Sequence, residues 1–263
     1  MGVENEITGE AKKILPQIYA DVAQPAAKEI GSVLGHTVRA SLAPLRGLLW
    51  GWDRIEQMII DGVEKRWISR PQENIKTPNL EIAVPLIQTL SYSAQNETLR
   101  EMYLNLLSNS MDRSQEKNVH PSFVDIIKQM DTLDAKLFKE LTNNERHKER
   151  YIKAINPTIS ITDQGKSFHN ATPEWFIGLT IDNYSFFDTS ASLIRLGRLG
   201  IVVLMFEKTT GNEGYSELKQ SPFLIQILNQ YKQAYPFLNL AILGTDSVLY
   251  VNEFGKQFAQ SCL

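Results

Sequence analysis

The sequence predicts a mainly α-helical protein: an N-terminal and central helical bundle with a smaller α+β, winged-helix-like C-terminal region. Apolar residues recur at helical spacing through the first 144 residues. A polar stretch with two prolines interrupts that pattern at residues 71–79, and short apolar runs typical of strands appear after the charged run 145–150. We therefore predict N-terminal helices (1–70), a linker (71–79), a helical core (80–144) and a C-terminal domain (145–263).

The composition is that of a folded soluble protein, with 43% hydrophobic and 22% charged residues. A net charge of -3 gives no global attraction to nucleic acid or anionic lipid. The single cysteine, Cys262, excludes an internal disulfide and fits a reducing cytosol. The acidic N-terminus argues against secretion. The lack of any apolar run of about 18 residues argues against a conventional membrane span. We expect a cytoplasmic protein.

The first seventy residues predict three helices: a short one within 9–23, a second from Pro25 to Ala43, and a third from Leu45 to Ile68 after Pro44 restarts the chain. Small residues follow one another at four-residue steps, which places them on one helix face and allows close helix approach. This seam, for helix packing or membrane insertion, consists of Ala23, Ala27, Gly31, Gly35, Ala43, Gly47 and Gly51.

Charged residues form a narrow stripe on the same helices. Lys28, Arg39, Arg46 and Asp53 are separated by 11, 7 and 7 residues, so each step returns to nearly the same direction. An apolar arc lies opposite, made of Ile30, Leu34, Val38, Leu45, Leu48, Leu49 and Trp52. Trp50, Trp52 and Trp67 are aromatic side chains of the kind that favour an interface.

Two interpretations of this segment stay open. One is a tightly packed helical hairpin inside a soluble bundle, and the other is a segment that inserts into a membrane on activation. Each Arg or Lys at the bilayer centre costs about 2.5–3.5 kcal/mol, which disfavours insertion of a lone helix. An oligomer that turns the stripe towards a water-filled lumen, or binding in the membrane interface, remains open.

The central region predicts helices with recognisable starts. Asn96 is expected to cap one helix, His120-Pro121 to start the next, and Asp131 or Thr132 to cap a third. Apolar residues at helical spacing predict the inward positions Leu99, Met102, Tyr103, Leu106, Leu107, Phe123, Ile126, Ile127, Met130, Leu133, Leu137, Phe138 and Leu141.

The C-terminal region predicts helix, strand, helix and then a hairpin, which is the order of a winged-helix module with the hairpin as its wing. The hairpin would pair two apolar runs, 238–243 and 248–251, around Gly244-Thr245-Asp246. The other predicted elements are a helix 190–199 capped by Asp188 and ended by Gly200, a strand 201–206, a helix 218–235, and a final helix capped by Asn252.

No pattern of catalytic chemistry is present. The histidines His36, His120, His147 and His169 lie far apart, and none has a second histidine or a cysteine at zinc-ligand spacing. Nucleophile elbows, phosphate-binding loops and dinucleotide fingerprints are missing. The sequence therefore predicts no catalytic residue, no metal site, no cofactor and a protein that is not an enzyme.

One block of the central region resembles a known family. The run LREMYLNLL at 99–107, followed by Ser110-Met111-Asp112 and by VHPSFVDIIKQM at 119–130, is similar to the signature of the abortive infection alpha family. The match continues through DAKL at 134–137, and the stretches 19–52 and 254–258 are also similar. The signature positions are Leu99, Arg100, Tyr103, Asn105, Leu106, Met111, His120, Pro121 and Phe123. From the residues alone, the apolar members are helix-packing positions.

This resemblance implies a bacterial or phage-borne protein linked to abortive infection, in which an infected cell stops growing or dies before phage matures. It brings no established catalytic residues. We predict an effector that is dormant until it senses a phage protein, then forms a homo-oligomer and permeabilises the inner membrane through its N-terminal helices. Inner-membrane association is thus expected on activation.

Two alternative functions stand beside this prediction. A nucleic-acid-binding regulator would use the winged-helix-like region, with Arg195 and Arg198 on one helix face. Residues 145–263 contain eleven Lys/Arg and eleven Asp/Glu, without the basic footprint of a DNA-binding domain, so a nucleic-acid partner is not expected. The second alternative is a nuclease or nucleotide-consuming toxin, and the missing catalytic motifs argue against it.

Overall fold

The computed structural model describes residues 33–46, 52–143, 151–168, 171–211 and 214–263. Contacts divide the chain into two compact units, with the boundary between Gln129 and Met130. The first unit also includes Ser261–Leu263, and the second ends at Gln260. The boundaries predicted from composition, at residues 70, 79 and 144, stay predictions.

The described part of the first unit is built of helices joined by short connections. Its helices are α1 (Val33–Arg46), α2 (Trp52–Trp67), α3 (Leu80–Ser93), α4 (Glu97–Ser110) and α5 (Ser122–Gln129). Side chains just before three of these helices accept hydrogen bonds from the first turn: Asn79 from Glu81, Asn96 from Leu99, and His120 from Ser122. The predicted starts at Asn96 and at His120-Pro121 are therefore confirmed.

Pro44 does not interrupt α1, so the prediction that it restarts the chain is wrong. Leu42 and Leu45 beside it are completely buried. Packing of these leucines outweighs the single main-chain hydrogen bond that a proline removes from a helix.

The stretch predicted as a linker is attached to the end of α4. Ile75 is buried and forms an antiparallel bridge with Asp112, and the Lys76 amide donates to the Met111 carbonyl at 2.8 Å. Two residues of this stretch thus bind the backbone at the end of α4, and the assignment of 71–79 as a linker stays a prediction.

The second unit combines helices with one antiparallel sheet. Its elements are α6 (Thr132–Leu141), β1 (Ile152–Ile161), β2 (Lys166–Phe168), α7 (Phe186–Arg198), β3 (Val202–Met205), α8 (Tyr215–Lys219), α9 (Pro222–Ala234), β4 (Leu240–Val251) and α10 (Glu253–Cys262), whose last two residues belong to the first unit. The strand order is β2-β1-β4-β3. The long β1–β4 ladder runs from Ile152 opposite Leu249 to Ile161 opposite Leu240.

The hairpin prediction is wrong. Gly244, Thr245 and Asp246 lie within β4, a single strand of 12 residues, and Gly244 faces Pro157 across the ladder. Ten residues of β1 pair with this segment, and the ladder outweighs a local turn signal. A mainly α architecture with a small sheet is confirmed, and the segment predicted as the wing is an inner strand of that sheet.

Other boundaries differ in detail. Ser185 caps α7 and Asp188 is the third helical residue of the same capping box, so Asp188 is not the cap. The helix predicted over 218–235 is two helices, because Pro222 starts a new one at α9. Asn252 does cap the final helix, accepting from the Gly255 amide at 2.7 Å.

An ion pair with a buried carboxylate joins α6 to α7. The Asp134 side chain is 1% exposed and accepts from Ser192 Oγ at 2.6 Å and from Arg195 Nε at 3.0 Å, and Arg195 Nη2 lies 2.8 Å from Asp134 Oδ1. Arg195 also bonds Asp131, which caps α6 as predicted. Arg195 therefore neutralises a buried carboxylate, while Arg198 one turn away is exposed.

Replacing Arg195 with methionine should lower the free energy of unfolding by about 3 kcal/mol, because the Asp134 carboxylate would stay buried without its cation. The matched variant Arg198→Met, on the same helix but exposed, should change it by less than about 0.5 kcal/mol. Urea denaturation monitored by circular dichroism measures the free energy of unfolding of both variants. Equal, small effects would show that the ion pair contributes little to the fold.

Candidate functional site

Helix α1 has one buried and one exposed side. Val38, Leu42 and Leu45 are completely buried in the first unit, whereas His36, Arg39 and Ala43 are exposed. Val38 and Leu45 belong to the predicted apolar arc, and these two members of it pack inside the protein. Within the described residues, no helix combines the length and the apolar character that crossing a membrane requires.

The seam of small residues is represented by two described members. A Cβ atom added to Gly35 would overlap the Glu64 carboxylate of α2, so α1 approaches α2 closely at that point. Ala43 is exposed. Ala23, Ala27, Gly31, Gly47 and Gly51 lie outside the described residues, and the role of the seam stays a prediction.

A second tight helix contact in this unit lies between α2 and α4. A Cβ atom added to Gly62 of α2 would stand 2.6 Å from Leu104 Cδ1 of α4. Gly62 was not among the predicted small residues, because it has no partner glycine at a four-residue step.

The charged stripe is described at Arg39. Its guanidinium donates to Gln57 Oε1 at 3.3 Å, and Gln57 donates to Asp61 at 2.6 Å, which links the exposed sides of α1 and α2. Lys28 lies outside the described residues, and only the main chain of Arg46 and Asp53 is described.

Trp67 is not at a surface. The ring is 1% exposed, at the end of the buried row of α2 that includes Ile59 and Val63. The expectation of an interfacial Trp67 is corrected, because helical spacing places it on the core side of α2. Trp50 lies outside the described residues, and only the main chain of Trp52 is described.

Most signature residues form the core of the first unit. Leu99, Tyr103, Leu106, Met111 and Phe123 are all less than one-tenth exposed. Burial raises the pKa of the Tyr103 phenol well above its usual range. Arg100 donates to the Ala94 carbonyl at 3.0 Å. His120 is exposed and forms a hydrogen bond with the Ser122 side chain, and Pro121, which is half-buried, directly precedes α5. These positions hold structure and present no reactive group.

Asn105 is different, because it belongs to a polar row along α4. Glu101, Asn105 and Asn109 follow at four-residue steps and share one face. Arg66 at the end of α2 donates to Asn105 Oδ1 at 2.5 Å and to Glu101 Oε2 at 2.7 Å. Arg70, one turn further, donates to Asn109 Oδ1 at 2.8 Å.

The same two amides also hold the C-terminal segment 261–263. Asn105 Nδ2 donates to the main-chain oxygens of Cys262 and Leu263, at 3.0 and 3.2 Å. Asn109 Nδ2 donates to the Ser261 carbonyl at 2.9 Å. Each amide thus accepts from an arginine on one side and donates to backbone on the other. The sequence signal of this arrangement is the pair of matching four-residue steps, 66–70 and 105–109.

This polar row binds a peptide backbone, that of the segment 261–263. The Cys262 thiol is completely buried, and burial raises its pKa well above the ordinary value, which makes it a poor nucleophile. Among the residues that the structure describes, no group of three or more His, Cys, Asp or Glu is placed to hold a metal ion.

The described fold and the polar row define a class of protein: a mainly α-helical, two-unit protein whose best-organised polar residues hold its own backbone. The family comparison then identifies it more closely. Residues 52–262 match the sequence profile described as Abortive infection alpha, and the chain belongs to that family. The matched range starts at residue 52, so the resemblance over 19–52 stays a prediction. No curated protein and no solved structure matches the chain.

Replacing Asn109 with alanine should lower the free energy of unfolding by about 1–3 kcal/mol, because the buried Ser261 carbonyl loses its donor. It should also speed thiol labelling of Cys262 by dithionitrobenzoate, about tenfold for each 1.4 kcal/mol by which opening of the segment 261–263 becomes easier. The exposed substitution Gln88→Ala is the control and should leave both unchanged. Identical labelling rates in the two variants would contradict this role for Asn109.

Proposed function

We propose that this protein is an abortive-infection effector that stays dormant until it senses a phage component, and that it then permeabilises the inner membrane as an oligomer through its N-terminal helices. Family membership supports the abortive-infection role. The two-sided character of α1 supports the membrane step and is the observation on which that step rests.

The contacts of α1 are of a kind that lipid can replace. Val38, Leu42 and Leu45 are held by apolar packing, and burying the same side chains at a lipid interface recovers a similar free energy. Arg39 on the opposite side suits the headgroup region. The hydrogen-bonded row of α4 has no such substitute in lipid, so we assign the mobile part to α1 and not to α4.

Length favours interfacial burial over a single span. The 14 described residues of α1 cover about 21 Å at 1.5 Å per residue, against a hydrocarbon core of about 30 Å. An amphipathic helix that lies in the interface needs no such match, and several copies together perturb the bilayer.

The dormant state follows from the same burial. With its apolar side packed inside the first unit, α1 offers the membrane only its exposed polar side. A phage component that binds a form with α1 released would shift the population towards it.

The proposal is tested by leakage of dye from vesicles of phosphatidylethanolamine and phosphatidylglycerol, with full-length protein and lysate of phage-infected cells. The wild type should cause leakage only with this lysate. Arg39→Glu should reduce leakage at least about tenfold. Each basic residue near an anionic surface contributes about 1 kcal/mol of binding free energy, and the charge reversal both removes this attraction and adds a similar repulsion.

Arg198→Glu is the control for the charge change, since that side chain is exposed on α7 and outside the N-terminal helices. It should leak like the wild type. No leakage by the wild type, together with an unchanged membrane potential in infected cells, would refute the membrane mechanism.

A further inference from the structure

One edge of strand β4 is open along half its length. β3 pairs only with its C-terminal end, from Met205 opposite Val248 to Val202 opposite Val251. Beyond Met205 the chain turns away at Glu207, which has φ of 56°, and the Glu207 amide donates to the Ser247 side chain instead of continuing the ladder. Among the described residues, the segment 240–246 of β4 therefore has no strand neighbour on the β3 side.

The ladder shows which main-chain groups face that open edge. Ile155 of β1 exchanges two hydrogen bonds with Phe176, both 2.9 Å, so its N–H and C=O point away from β4. Ile155 and its cross-strand partner Asp246 are thus a non-hydrogen-bonded pair, and the Asp246 main-chain groups point to the open side. Strand alternation gives Gly244, Ile242 and Leu240 the same orientation.

Within the described part of the chain, no hydrogen bond uses these outward groups of Leu240, Ile242, Gly244 and Asp246. The opposite edge of the sheet is covered. Pro157 has no N–H and its carbonyl accepts from Thr172, while β2 pairs with the end of β1. Proteins usually protect such edges, so an open one indicates a binding surface.

We infer that the edge 240–246 pairs antiparallel with the same edge of a second copy of this chain. The inference rests on the proposed function, since it assigns the surface for the assembly step. A two-fold axis at Leu243 places Ile242 opposite Gly244 of the second copy, and Leu240 opposite its Asp246. All outward main-chain groups then find partners, about eight hydrogen bonds in all.

Side chains favour a second copy as the occupant. On one face, Ala241, Leu243 and Thr245 carry no charge, and Leu243, 55% exposed, meets its own counterpart at the axis. On the other face, Asp246 is already paired with Lys219 at 2.7 Å, so no unpaired like charges meet. Gly244 leaves room for Ile242 of the second copy.

Gly244 allows a matched pair of variants. A Cβ atom there would lie 3.4 Å from Lys219 Cε and 3.7 Å from Ile155 Cδ1, which is ordinary contact. Gly244→Pro removes the outward N–H, as Pro157 does directly opposite, whereas Gly244→Ala retains it. Neither change removes a hydrogen bond of the β1–β4 ladder.

Sedimentation velocity of the full-length chain over a range of concentrations, with and without lysate of infected cells, measures the association. Wild type and Gly244→Ala should form concentration-dependent dimers. Gly244→Pro should raise the dimer Kd at least about tenfold, because each dimer loses two hydrogen bonds. Circular dichroism establishes that both variants fold.

Cysteine cross-linking tests the register. Leu243→Cys should form an interchain disulfide, because the axis places that position opposite itself. Ala241→Cys alone should not, because it faces position 245, and Ala241→Cys/Thr245→Cys should restore the cross-link. The native Cys262 is buried and does not compete.

A wild type that stays monomeric under both conditions overturns the inference, as does a Gly244→Pro dimer of wild-type affinity or efficient cross-linking of Ala241→Cys alone. Dimerisation through this edge without any vesicle leakage supports the inference and refutes only the proposed function. Leakage by a strictly monomeric chain refutes both the edge pairing and the oligomeric step of the proposed function, and leaves only membrane permeabilisation through the N-terminal helices.

Discussion

The first unit depends on keeping two amides of α4 hydrogen bonded, buried Asn109 and half-buried Asn105. Asn105 accepts from Arg66 in the last turn of α2, Asn109 accepts from Arg70 three residues after that helix, and both donate to the C-terminal backbone. An amide or carbonyl left unsatisfied in the interior costs about 1–3 kcal/mol, so the loss of any one partner weakens the hold on the others. Helix α2, the signature helix α4 and the segment 261–263 therefore behave as one cooperative set.

Helix α1 stands outside that set. It is attached by apolar packing and by exposed hydrogen bonds through Arg39, and neither depends on these two amides. Apolar contacts have no direction and can be exchanged for lipid, whereas the polar row needs its particular partners. This difference supports the proposal that α1 is the part of the unit that is released.

The second unit is organised by the β1–β4 ladder and the Asp134–Arg195 pair. The ladder makes β4 an inner strand at one end and leaves it open at the other, where β3 stops. Arg195 is paired with a buried carboxylate. Of the two arginines on the helix face suggested for nucleic-acid binding, this leaves Arg198.

Local chemistry along the chain was enough to predict most of the helices, the caps at Asn96 and Asn252, a cap at Asp131 or its neighbour Thr132, the buried faces of α4 and α5, and the family. These features depend on neighbours within one or two helical turns, so the order of residues along the chain is enough to predict them. Only tertiary structure decided that Gly244-Thr245-Asp246 is strand, that Trp67 is core, and that Asn105 and Asn109 hold the C-terminal segment. Each of those outcomes is decided by a partner distant in sequence, whose packing or hydrogen bonds outweigh the local preference.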